Sequence, residues 1–264
     1  MDIGTAKPDT DYQKRFDYHL IDICSPEEQY SAGVFFEKAN AACSKIYEQG
    51  RIPVLEGGTV YYINTFLTGM PQAPVADANI RQQLEKELRE RGFSWLCEEL
   101  HRLDPNSKVP LADSYRVQRA VEICRQTGRP ASEFRVPVEI RTELQVLVIA
   151  LQRDRSQLYD RINERVDMMF ATGLEQEINR LVAAGWGKNA PGMRAIGYQE
   201  FFADDGSRRS DIQQVRGLIQ RNSRRFAKRQ ESFIKRLPSV LRIHPDNSAL
   251  LGQFVNEFCQ GLDH

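Results

Sequence analysis

No stretch of the chain reaches the roughly 18 consecutive apolar residues of a membrane-spanning helix, so no segment reads as one. Cysteine is sparse: Cys24, Cys43, Cys97, Cys124 and Cys259 are scattered, odd in number and never form C-x-x-C. That pattern argues against a disulfide frame or a zinc site and for free thiols in a reducing cytoplasm. His19, His101, His244 and His264 never pair at metal-ligand spacing such as H-E-x-x-H, so no metal site is read from sequence. A G-x-S-x-G elbow is missing, and hydrolase chemistry has no foothold. Charge of one sign is not in excess either. The 36 basic and 36 acidic side chains leave a formal net charge of +0, so any signal for a polyanionic partner must be local. Neither an internal repeat nor a low-complexity tract is present, and no signal peptide precedes the first motif; the expected location is the cytoplasm.

What is present is ordinary globular material. A length of 264 residues allows one large domain or one domain with an insertion, and 41% hydrophobic with 27% charged residues is a soluble composition. Short apolar runs alternate with helical patterns. HLIDI (19–23) and IPVLEGG (52–58) read as strands, and each is followed by a helical pattern, GVFFEKANAACSKIYEQG (33–50) and TVYYINTFLTG (59–69). That order predicts a parallel sheet with helical crossovers. LQVLVIAL (144–151) is apolar on both faces, as a buried parallel strand is, and VLRIHP (240–245) reads as a last strand. Between these halves, residues 78–134 carry helix signals alone, in ANIRQQLEKELRERG, SWLCEELHRL and DSYRVQRAVEICRQTG. Pro71, Pro74, Pro130 and Pro137 punctuate the two ends, which predicts an all-helical insertion over 78–139 within a core of 1–77 and 140–264. Further helices are expected over 155–173, 174–185 and 210–236.

Four motifs could carry chemistry. In LEGGT (55–59) a strand runs into two glycines and Thr59 opens a helix. Glycines admit a ligand close to the backbone and a helix start offers free N–H groups, but Thr59 is equally a plain N-cap. In RNSRRFAKRQESFIKR, Arg221, Arg225, Lys228 and Arg229 share one helix face, with Arg224, Lys235 and Arg236 nearby. Such a face suits phosphates, and a solvated basic face is the equal alternative. In MRAIGYQE (193–200), Arg194 sits in a loop where a guanidinium can clamp phosphate bidentately, though a surface arginine with no task is the commoner case. In LADSYRVQRAVE (111–122), Arg116 and Arg119 face one way, Asp113 or Ser114 caps the helix, and Val117, Ala120 and Val121 form its buried stripe.

Taken in order, MDIGTAKP, YHLIDICSPEEQYSAGVF, GRIPVLEGGTVYYIN, DSYRVQRAVEICRQTGRPAS, LYDRINERVDMM, AIGYQE and AKRQ resemble the tRNA dimethylallyltransferase (tRNA isopentenyltransferase) family, from residue 1 to about residue 245. The resemblance implies an α/β, P-loop-kinase-like parallel sheet core with an all-helical insertion that grips the anticodon stem-loop. It implies transfer of a dimethylallyl group from dimethylallyl diphosphate to N6 of adenosine 37 of tRNA, with release of diphosphate and help from Mg2+, by a monomer. The chemistry needs a positioned base for a weak amine nucleophile, cationic and N–H stabilisation of the leaving diphosphate, and an adenine drawn out of its stack.

Position by position, the resemblance makes Arg194 the catalytic arginine that holds the diphosphate, and Thr59 the residue meeting tRNA near the acceptor adenine. Arg81 is a second tRNA contact. Tyr115, Arg116, Val117, Gln118 and Arg119 form a tRNA-contacting segment, and Ser223, Arg224, Arg225, Phe226, Ala227, Lys228 and Arg229 lie in or beside the tRNA-binding AKRQ helix. Asp2, Thr5 and Lys7 are rim residues of the substrate site. Phe233 stands where the family often has tryptophan, and Gln199 where some members have arginine. The family's strand and G-x-x-x-x-G-K-[ST] phosphate loop ahead of DIGTAKP find no match here, nor does its base-bearing stretch, and Asp2 falls too late in the motif to be the general-base aspartate. The expectation is therefore a fragment lacking the first strand and phosphate loop. Two competing readings are a catalytically inactive tRNA-binding remnant and a prenyltransferase acting on free adenine nucleotides; the helical insertion and the basic helix weigh against the second.

Overall fold

The computed structural model describes residues 1–262 and falls into two compact units, one of Met1–Leu67 with the residues from Ile140 on, the other of Thr68–Glu139. In chain order the elements are α1 (Thr10–Arg15), α2 (Ala32–Glu48), α3 (Val60–Thr68), α4 (Ala78–Leu103), α5 (Ser114–Thr127), β1 (Val148–Leu151), α6 (Arg155–Ala171), α7 (Leu174–Ala183), α8 (Ile212–Ile234), β2 (Val240–Ile243) and α9 (Ser248–Gln260). Their ends follow local chemistry. Ser31 caps α2 through the Val34 N–H at 3.3 Å, and Gly50, at φ +68°, turns the chain beyond its end. Asp113 caps α5 through the Arg116 N–H at 3.1 Å, and Gly128 closes that helix in the left-handed region. Gly92, at φ +81°, breaks α4 into two helical stretches.

The fold is mixed helix and sheet, and its sheet is small. β1 and β2 pair in parallel, with Val148 opposite Val240 and Leu151 opposite Ile243. Two expected strands do not form. In 19–23, Leu20 (φ +61°) and Asp22 (φ +54°) both lie in the left-handed region, so the chain turns and cannot offer a ladder edge. Residues 52–58 make no strand, with Ile52 and Val54 exposed. Leu55 packs inward, against the Ala39, Phe66 and Leu67 cluster between α2 and α3. A strand at 144–151 is also shorter and less buried than its apolar sequence suggests: it begins at Val148, and Leu151 is 61% exposed.

In the first unit α6, α7 and α8 enclose the largest cluster, built on Val166, Leu174, Ile178, Phe201, Val215 and Ile219. In the second unit α4 and α5 pack through Leu84, Leu96, Leu100, Val117, Ala120 and Val121. Around that core Arg125 joins Glu87 (2.7 Å) to Glu99 (3.1 Å), and buried Asp104 accepts from the Ser132 N–H (2.8 Å) and hydroxyl (2.6 Å). Leu100 is 1% exposed, and Leu100→Ala should cost about 3 kcal/mol of unfolding free energy in a denaturant titration. A loss below about 1 kcal/mol would mean the site collapses without a cavity.

Candidate functional site

The DIGTAKP segment is a tight turn. The Ala6 N–H donates to the Ile3 carbonyl (3.0 Å) and the Lys7 N–H to the Asp2 carbonyl (3.1 Å), while the Thr5 hydroxyl donates to the Met1 and Asp2 carbonyls. Three consecutive N–H groups of this turn point at one carboxylate, that of Glu177 on α7. The Asp2 N–H donates to Oε1, and the Ile3 and Gly4 N–H groups donate to Oε2 at 2.8 and 3.3 Å. The Tyr198 hydroxyl donates to Oε1 at 3.0 Å. Burial, and after it the charge of Glu177, push the Tyr198 phenol well above its ordinary value, so it remains a donor throughout the physiological range. Sequence reasoning missed Glu177, although a signal exists: it is a carboxylate on the same face as Leu174, Ile178 and Leu181, where an apolar residue belongs.

The turn holding Tyr198 also holds Arg194. Pro191–Arg194 is a short 3-10 turn rather than open loop, anchored by buried Met193 and by the Gly192 N–H to the Pro26 carbonyl at 2.8 Å. Arg194 is exposed, and its Nη2 donates to the Asn189 carbonyl at 3.3 Å. A Cβ on Gly197 would lie 2.9 Å from the Gly4 carbonyl oxygen, and Gly197 has φ +101°, so glycine is required where the two motifs touch. Buried Glu200 then ties this turn to α8: it accepts from the Gly197 N–H at 2.9 Å and from Asn222 Nδ2 at 2.7 Å.

The GGT motif meets the AKRQ helix. Gln230 Nε2 donates to the Gly58 carbonyl at 2.7 Å, and a side chain at Gly58 would push the Gln230 amide out of this place. Thr59 is exposed, and its carbonyl receives the Tyr62 and Ile63 N–H groups at the start of α3. On α8, Arg221, Arg225, Lys228 and Arg229 are exposed, whereas Arg224 is half-buried, donating to Asn163 Oδ1 at 2.6 Å and covering the Tyr159 ring. Ser223, Phe226 and Ala227 are half-buried as well. A cleft of about 670 Å³ opens at the carboxyl ends of β1 and β2, where Arg153, Arg155, Arg161, Lys228 and Arg242 outnumber Asp154 and Glu231.

In the helical unit the expected contact segment divides. Tyr115 is 71% exposed and Arg116 is exposed beside Asp113 at 3.3 Å. Gln118 is half-buried, and Val117 is fully buried in the α4–α5 core. The Val117 side chain therefore serves packing and offers nothing to an RNA, as its place in the apolar stripe of α5 requires. Arg81 grips buried Glu122 bidentately at 2.8 and 3.0 Å, and Arg119 donates to Glu122 (3.2 Å) and to the Pro74 carbonyl. Both guanidiniums are engaged within the unit.

Lys7 lies between two carboxylates: it binds Asp2 and donates to both oxygens of Asp22, at 2.9 and 2.8 Å. Among the described residues no three or more histidine, cysteine, aspartate or glutamate side chains converge as metal ligands, and Asp2 and Asp22 already share this ammonium. Taken up by Lys7, the carboxylates of this turn do not fit a protein-held magnesium ion. The Lys7 hydrogen bond draws the Asp2 carboxyl below its ordinary value, and Asp2, then Asp22, raises Lys7. The pair thus holds the turn above the ordinary aspartate range and loses hold as the pH falls through the depressed Asp2 value. On the alkaline side it persists beyond the ordinary lysine range. An NMR titration of the Asp2 carboxyl should give a midpoint below the ordinary aspartate value, moving up in Lys7→Met; an unmoved midpoint would show that Lys7 is not the cause.

A family profile described as IPP transferase matches residues 1–237. A tRNA dimethylallyltransferase of Geobacter sulfurreducens is 37% identical over 243 residues, which is 91% of this chain and 78% of that protein. Another, from Thermotoga maritima, is 39% identical over 239 residues, 89% of this chain and 77% of its own. Among solved structures, the full-length tRNA isopentenylpyrophosphate transferase of Bacillus halodurans matches with a TM-score of 0.65 at 30% identity, covering 100% of this chain and 86% of that one. A eukaryotic dimethylallyltransferase acting on tRNA, at 21% identity, shares the fold with a TM-score of 0.80 over 98% of this chain and 69% of its own. With its motifs in place and the profile matched from residue 1 to residue 237, the chain belongs to the IPP transferase family.

Proposed function

We propose that this protein transfers a dimethylallyl group from dimethylallyl diphosphate to N6 of adenosine 37 in tRNA, acting as a cytoplasmic monomer on a P-loop-kinase-like core. The N6–C bond forms as the C–O bond to diphosphate breaks, and N6 gives up one proton to water. The observation that carries the reading is the convergence, within one unit of a member of the IPP transferase family, of segments far apart in sequence. DIGTAKP lies against the Arg194 turn, and GGT lies against the AKRQ helix.

Each residue group has a task that its surroundings permit. Arg194 spends one donor on Asn189, so the rest of its guanidinium can meet charge building on a leaving diphosphate. The exposed face of Arg221, Arg225, Lys228 and Arg229 suits RNA phosphates, and the cationic cleft beside it extends that field. Thr59 stands beside that helix at the acceptor adenine. In the helical unit, which we assign to the anticodon stem-loop, Tyr115 supplies a ring on which an unpaired base stacks and Arg116 a cation for its phosphate. Arg81 and Arg119, held on Glu122, keep α5 in place beneath them. Magnesium assistance belongs to the same proposal on the family resemblance, with its coordination left to the substrate phosphates.

The test uses tRNA transcripts differing at one base. Adenosine at position 37 should give transfer and guanosine there none. Arg194→Ala should lower kcat about 100-fold. Lys228→Ala should reduce the slope of log affinity against log salt by about 1 while leaving the chemical step intact. Prenylation of free adenosine monophosphate in preference to tRNA would favour the nucleotide enzyme, and tRNA binding without transfer would favour the inactive remnant.

A further inference from the structure

We infer that Glu177 is a positioning residue for the proposed transfer, setting the distance between the DIGTAKP turn and the Arg194 turn, with Tyr198 as its partner. The inference rests on the prenyl-transfer reading. Glu177 is 3% exposed, and no lysine or arginine side chain pairs with it among the described residues. Its charge is met instead by the N–H groups of Asp2, Ile3 and Gly4, by the Tyr198 hydroxyl and by the Met1 ammonium 3.9 Å from Oε1. A carboxylate buried this deeply is costly to deprive of its donors, because no water replaces them at its oxygens.

What lies at either end of the clamp makes this more than packing. On one side the donors are three successive residues of the motif that carries Asp2, Thr5 and Lys7. On the other, Tyr198 follows Arg194 by four residues within one anchored turn. Tyr198 also sets the spacing sterically: a Cβ on Gly4 would stand 2.5 Å from its ring, and one on Gly197 would meet the Gly4 carbonyl. The two turns are thus in backbone contact, and one carboxylate takes three main-chain donors from the first and the Tyr198 hydroxyl from the second. Glu177→Gln retains the shape but sets an NH2 group among donors, so the DIG turn must draw away.

The experiment compares Glu177→Gln and Tyr198→Phe with the unsubstituted full chain, by steady-state kinetics in both substrates and by amide hydrogen exchange. Exchange at residues 2–4 should rise about 10-fold or more in Glu177→Gln, and less in Tyr198→Phe, which loses one bond and keeps the ring. kcat should fall about 100-fold in Glu177→Gln, since an ångström of misplacement is that expensive to a reaction, while KM for tRNA stays within about 2-fold. Unchanged exchange at residues 2–4 overturns the clamp. Raised exchange with unchanged kcat overturns the positioning role, as does a rise in KM for tRNA equal to the fall in kcat/KM. If Glu177→Gln does not fold, Tyr198→Phe alone decides: a lowered kcat with unchanged KM for tRNA supports the role, and wild-type kcat overturns it. Absence of transfer by the unsubstituted chain is a different result, since it removes the prenyl-transfer reading itself.

Discussion

Around the carboxylate of Glu177 the first unit is joined together. Three successive main-chain N–H groups at the start of the chain cannot hydrogen-bond to one another, and the tight DIGTAKP turn leaves them pointing one way. Glu177, itself buried, meets all three of these part-buried donors while taking a fourth bond from Tyr198. The position of α7 therefore fixes the turn, and the turn in contact with Gly197 fixes the segment bearing Arg194. Glycine at 4 and 197 is the steric counterpart of that electrostatic demand, because a Cβ at 4 would meet the Tyr198 ring and one at 197 the Gly4 backbone.

A second buried carboxylate extends the arrangement. Glu200 receives the Gly197 N–H and Asn222, so α8 is tied to the same turn from its other side. Along α8 the arginines then take different work according to depth. Arg224, half-buried, is spent on Asn163 and Tyr159, while Arg221, Arg225, Lys228 and Arg229 reach solvent. Gln230 returns from the helix to hold Gly58. The helix thus holds the GGT backbone and the Arg194 turn through Gln230 and Asn222 and presents exposed cations along its length, an arrangement suited to a substrate that is both a polyanion and a base to be placed.

Most helices were legible in the sequence because their signals are local, although the short α1 and the last helix α9 were not read. Ser31, Asp113, Gly50 and Gly128 stand where capping chemistry puts them, and the apolar stripe of α5 is seen in Val117, Ala120 and Val121. Strands depend on what lies beside them. HLIDI and IPVLEGG have strand composition, yet left-handed Leu20 and Asp22 bend the first and no ladder forms along the second. The site was half legible. Exposed basic residues and glycine motifs announce themselves, whereas Glu177 and Glu200 read as routine helix and turn acids until the fold buries them among backbone donors. Val117 and Tyr115 show the same limit at finer scale, since two residues along one helical segment separate a fully buried side chain from an exposed ring.

The most direct test of this arrangement is an NMR titration of the protein with dimethylallyl thiodiphosphate, a donor whose leaving group departs slowly. If the DIGTAKP turn and the Arg194 turn form one site, the amides of residues 2–7 and of residues 191–198 shift together, with one common saturation curve. Shifts in only one of the two segments, or in neither while the ligand binds elsewhere, would contradict it.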